Sequence, residues 1–284
     1  MKYFITALAT FVLLAAISCG GKSPVDPPHD PEPVKNPDPP KDTVIHVLFI
    51  GNSLTYVNDL PGTVSRIAAS GNKRVISESV AMPGYALIDH LDGGSNAVEV
   101  IRRGGWDYVV LQQGPSSLPE SRIILVDGVL RFDTEIRAVG ARTALYMVWP
   151  DKSRFAFFED VRLNYKFGAD TVGGLFLPAG EAWLTAWKFD STLALYGPDD
   201  FHPSPLGTFL AGLVIFEGIT GCNPEQLPLY AFAAGDTLAV PDETISLLHR
   251  SAHLTNARYA EYDSLRWGCE QEVGKRYRFL HRDN

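Results

Sequence analysis

"VIHVLFIGNSLT", residues 44–55, sets the reading of the whole chain. Its first seven residues are nearly all apolar and rich in β-branched side chains. That is the pattern of a parallel strand buried on both faces. Gly51 breaks the run, and Ser53 follows at the strand end. From there short apolar runs alternate with amphipathic stretches. Residues 74–80 ("RVISESV"), 106–113 ("WDYVVLQQ"), 141–149 ("ARTALYMVW") and 173–178 ("GGLFLP") read as four further strands. Asn58 or Asp59 can cap a helix in which Leu60, Val64, Ile67 and Ala68 share a face, with Gly71 as its stop. Further helices are expected over 96–103, 123–139, 157–167, 180–187 and 205–219. The last has Ser204 as cap and Pro205 at its first position. Strand–helix alternation with short connections predicts an α/β fold, a three-layer α/β/α sandwich around a central parallel sheet of about five strands. Sites in such folds lie at the carboxyl ends of the strands. Ser53, Gly84 and Gln113 all fall just past such ends. In the tail, "DTLAV" (236–240) reads as an edge strand and 242–262 as a helix capped by Asp242.

The chain has 284 residues, 45% hydrophobic and 20% charged, a globular composition. Its net charge of −8, with no basic stripe, argues against nucleic acid as a partner. Met1 and Lys2 precede an apolar run over residues 4–17 that ends in small residues, a signal peptide rather than a membrane span. Ala16-Ile17-Ser18-Cys19 resembles a bacterial lipoprotein processing site. The resemblance implies cleavage before Cys19, lipidation of its thiol, and an exported protein anchored to a bacterial membrane, at the outer membrane or cell surface. Residues 20–42 are rich in Pro, Asp and Lys and poor in apolar residues, so they read as an extended spacer. The expected division is signal peptide 1–18, lipidated Cys19 and linker 19–42, and one folded domain 43–284. Cys222 and Cys269 remain, and in an oxidising compartment they are candidates for a disulfide or for two buried thiols.

A serine hydroxyl is a weak nucleophile and needs a base, a group that orients the base, and donors for an oxyanion. Seven histidines are available. His46 sits inside a strand, His90 in a polar segment, His29 in the linker, and His249, His253 and His281 in the tail. His202 differs: it lies in a Gly/Pro-rich loop before a capped helix, with Asp199 three residues earlier.

"FIGNSLT" together with "DDFHPS" resembles the SGNH/GDSL hydrolases, over residues 45–218. That family implies a flavodoxin-like SGNH hydrolase fold and a serine esterase with Ser53 as nucleophile, His202 as general base and Asp199 as its orienting acid. It implies an oxyanion hole from the Ser53 N–H, the Gly84 N–H and an amide side chain, for which Gln113 is chosen, with Gln112 and Asn52 as competitors. Strand alternation puts Gln112 and Gln113 on opposite faces if the strand reaches them. The family uses no cofactor, and the sequence has no metal-ligand spacing. A small acyl ester is the implied substrate, an acetyl group on a glycan being one form of it. A glycan-binding protein without turnover and an acyltransferase using the same triad are the alternatives. Trp149, Trp183 and Trp187 read as core, with sugar stacking the other option for Trp149.

Overall fold

Residues 47–50 have no exposed surface, because strands flank them on both sides and helices cover both faces. The computed structural model describes residues 44–259. In chain order these form β1 (Val44–Gly51), α1 (Ser53–Tyr56), α2 (Leu60–Ser70), β2 (Arg74–Ala81), α3 (Leu87–Asp89), α4 (Ala97–Arg102), β3 (Tyr108–Leu111) and α5 (Pro119–Ala138). Then follow β4 (Arg142–Tyr146), α6 (Phe158–Thr171), β5 (Leu175–Leu177), α7 (Ala179–Phe189), α8 (Pro205–Thr220), the small strands β6 (Phe232–Ala233) and β7 (Asp236–Thr237), and α9 (Asp242–Ala257).

The main sheet is parallel, in the order β2-β1-β3-β4-β5. One face packs against α2 and α8, with α7 and α9 behind them; α5 and α6, with α3 and α4, cover the other. The chain runs outward from β1 to β2, then crosses back over β1 to start β3. The strand order therefore reverses between β1 and β3, and the helices leaving these strands diverge to leave a crevice there. This is the three-layer sandwich expected from the sequence.

Several details differ from the sequence reading. β3 stops at Leu111, where its pairing with Ile50 ends, so Gln112 and Gln113 lie beyond the strand. Of "DTLAV", only Asp236 and Thr237 pair, and they pair with β6 in a separate two-stranded hairpin. Asp242 is the first residue of α9, after Pro241, and is not its cap. Asp59 caps α2, its carboxylate accepting from Gly62 N–H at 3.1 Å. Ser204 caps α8, its hydroxyl accepting from Gly207 N–H at 3.0 Å. Cys222 is disulfide-bonded. Its expected partner Cys269 lies outside the described residues, as do His281, Cys19, the signal peptide and the linker.

Candidate active site

β1 delivers the serine through a tightly tied turn. Asn52 caps α1, its Oδ1 accepting from Leu54 N–H at 3.1 Å, so Ser53 is the first helical residue. The Ser53 N–H is then one of the amides that a helix start leaves without an internal acceptor. The Asn52 backbone N–H donates to Gln112 Oε1 at 2.9 Å, and the Gln112 amide returns a bond to Asn52 Oδ1 at 2.9 Å. Gly51 is needed here because a Cβ would collide with the Gln112 amide oxygen. Asn52 Nδ2 donates to the Tyr85 carbonyl at 2.9 Å and so ties the serine turn to the loop after β2.

That loop contains a type II turn. Tyr85 N–H donates to the Met82 carbonyl at 3.3 Å, Pro83 holds the second position, and Gly84 has φ +71° at the third. Among the described residues, neither the Gly84 N–H nor the Ser53 N–H has a protein acceptor.

The candidate base, His202, and candidate acid, Asp199, come from the connection between α7 and α8. Gly197 N–H donates to the His202 carbonyl at 2.7 Å and Ser204 N–H to the Leu195 carbonyl at 2.8 Å, folding a narrow hairpin with Asp199 and Asp200 near its tip. His202 Nε2 lies 2.8 Å from Ser53 Oγ, and its Nδ1 lies 2.5 Å from Asp199 Oδ2. An ionised carboxylate only accepts, so Nδ1 carries the proton and the Nε2 lone pair faces the serine hydroxyl. The other Asp199 oxygen accepts from the Phe201 and His202 backbone N–H groups at 3.1 and 2.9 Å. The His202 ring, then these amides, pull the exposed Asp199 carboxyl down to about 2. Asp200 faces away, paired with Lys152 Nζ at 2.8 Å. Of the two neighbouring aspartates, Asp199 is the one within hydrogen-bond distance of the His202 ring.

The two glutamines separate clearly. Gln112 is engaged on every side: besides Asn52, its Oε1 accepts from Thr55 Oγ1 at 2.7 Å and its Nε2 donates to the Gln113 carbonyl at 2.5 Å. It stands behind the site wall. Gln113 Oε1 accepts from Leu87 N–H at 3.1 Å, which fixes the amide's orientation, and Nε2 donates one hydrogen to Ser116 Oγ at 2.7 Å. One Gln113 N–H is left. Gln113, Gly84, Asn52 and Ser53 line a common pocket of about 360 Å³.

Four contributors were not read from the sequence in these roles. His90 is buried, not in a polar loop; its Nε2–H donates to the Gly51 carbonyl at 2.9 Å, and Ser95 Oγ faces its Nδ1 at 2.7 Å. Burial pushes its pKa down. Asn58 Nδ2 donates to the Pro203 carbonyl at 2.9 Å, bridging the serine side to the histidine side. Trp149 is fully buried and stacked on Trp183 with ring centroids 3.6 Å apart, so it offers no face to a sugar. Its indole N–H instead donates to the Phe201 carbonyl at 3.0 Å, one residue before the histidine. Ser116, at φ +54°, holds Gln113 from a backbone conformation that serine rarely adopts. Such links are fixed by tertiary contact and leave no local signal. Among the described residues no cluster of three metal-ligating side chains is placed to hold an ion.

The sequence matches no family model. No curated protein matches it either. Solved structures do resemble it. A DUF4886 family protein from Bacteroides uniformis aligns with a TM-score of 0.63 at 17% identity, over 79% of this chain and 98% of that one. A candidate SGNH hydrolase from Slackia heliotrinireducens aligns with a TM-score of 0.51 at 24% identity, over 62% and 99%. TesA aligns with a TM-score of 0.50 at 12% identity, over 62% and 98%. The chain thus has the fold of the SGNH hydrolases, the class its sequence motifs resemble.

Proposed function

We propose that the protein is a serine esterase working through an acyl-serine intermediate. The observation that carries this reading is the continuous relay from Asp199 through His202 to Ser53. His202 Nε2 takes the hydroxyl proton as Ser53 Oγ forms a bond to the ester carbonyl carbon. The carbonyl oxygen becomes an oxyanion facing the Ser53 and Gly84 N–H groups and the remaining Gln113 N–H. The ester C–O bond then breaks, and the alcohol leaves with the proton from His202. Water repeats the sequence on the acyl-serine, giving its proton to His202, and the acid departs as Ser53 regains a hydroxyl.

A binding protein without turnover would have no use for an aligned proton relay. An acyltransferase would, and product analysis with a sugar acceptor present separates transfer from hydrolysis. A glycan as the alcohol portion rests on resemblance alone. Export and a lipid on Cys19 belong to the same reading, and fractionation of a Cys19→Ala variant tests them. For catalysis the test is Ser53→Ala on an activated ester. kcat/KM should fall by about 10⁴-fold or more with the melting temperature little changed. Undiminished turnover would refute the serine assignment.

A further inference from the structure

Resting on the esterase reading above, we propose that the acyl group this site takes is an uncharged aliphatic chain longer than acetyl, and that Ile124 sets its length. The pocket beside Ser53 has a volume of about 360 Å³. The methyl and carbonyl of an acetyl group amount to about two water-sized groups, a small part of this space. The space left over can take a longer chain.

The chemistry of the wall selects that occupant. None of the lining residues carries a charge. Its polar side chains are largely turned into the protein. Asn52 is held by Leu54, Tyr85 and Gln112; Gln113 by Leu87 and Ser116. Ser116 Oγ donates to the Gly114 carbonyl, and Ser121 Oγ exchanges bonds with the Leu118 N–H and carbonyl. A charged or polyhydroxylated acyl group would lose water here and gain few partners. The surface that is offered is apolar: Ile124, Tyr85, Pro115 and Phe201.

Ile124 is the member best placed to measure length. Ser121 and Ile124 are three residues apart on α5, so both face the pocket from one side of the helix. Ile124 is 46% exposed, and Leu118 and Ile123 near the start of the same helix are 45% and 70% exposed. Of these, Ile124 lines the pocket together with Ser53, so an acyl chain seated there would cover it. Each methylene laid against such a surface should raise kcat/KM by up to about fourfold.

The experiment uses the full chain and 4-nitrophenyl esters of unbranched acids from acetate to decanoate, below their micelle concentrations. The expected result is kcat/KM rising from acetate to a maximum at a middle chain length. In Ile124→Trp, the ratio of octanoate to acetate activity should fall by about tenfold or more. That ratio is internal to one preparation and does not depend on the fraction folded. A series that is greatest at acetate, or an Ile124→Trp ratio equal to wild type, would overturn the proposal and leave the esterase reading intact. A second series, acetyl esters of lengthening alcohols, should be flat; a steep rise there with a flat acyl series would assign the pocket to the alcohol and overturn it too. No turnover of any ester, with no fluorophosphonate labelling of Ser53, would sink both.

Discussion

Phe201 stands between the two working groups of the acid–base hairpin, and its carbonyl is held by the Trp149 indole. On the esterase reading, Trp149 positions His202 without touching any reacting atom. Trp149→Phe keeps a ring in the stack and deletes the donor. One net hydrogen bond is worth about 0.5–1.5 kcal/mol. If that loss falls on the placement of His202, kcat should drop by about two- to tenfold with KM nearly constant, and phosphonylation of Ser53 should slow in step. A variant that is less stable but has wild-type kcat would mean the tryptophan only packs. The grouping of Ser53, His202 and Asp199 could be anticipated from the sequence, because these residue types carry their chemistry with them and the Asp-x-x-His spacing is local. The choice among Gln112, Gln113 and Asn52 was not legible. It turns on which amide hydrogens are already engaged, and those partners lie as far as 60 residues away.

At the scale of elements, β1, β3 and β4 were readable because a strand buried on both faces must be apolar throughout. Their ends were less so. β3 stops where β1 stops supplying partners, a fact about the neighbour and not about "LQQ". The helix α9 holds an unused polar group: His249 is buried against Phe209, and its Nε2 has no partner among the described residues. Burial pushes its pKa down to about 4, below the usual 6.5. With the folded pKa depressed, the unfolded chain takes up the proton first. Stability from this group is therefore complete above pH 6.5 and declines as pH falls toward 4, by roughly 3 kcal/mol at most. His249→Leu should be about 1 kcal/mol more stable at pH 7, and its advantage should widen at pH 4.5. Urea unfolding at the two pH values checks this; an equal difference at both would mean that His249 is not held neutral.

Over the whole molecule, Ser53, Gly84 and Gln113 follow β1, β2 and β3 respectively, while the acid–base hairpin leads into α8, so the site exists only when the sheet is assembled. The strand order was the least legible feature, since parallel pairing is non-local and several orders satisfy the same alternation. Every described site residue lies within residues 51–202. Replacing Cys19 by Ala, or starting the chain at residue 42, should therefore leave kcat/KM on a soluble ester within about twofold while moving the protein from the membrane to the soluble fraction. Continued membrane association of the Cys19→Ala variant would remove the anchor from the proposal. The stacked indoles of Trp149 and Trp183, 14° from parallel with Trp187 edge-on beside them, have a consequence of another kind. Two chromophores this close share their excited state, so near-ultraviolet circular dichroism contains a signal from the ring pair. Because one ring is bonded to the segment that carries the base, that signal is a label-free optical gauge of whether the hairpin is seated.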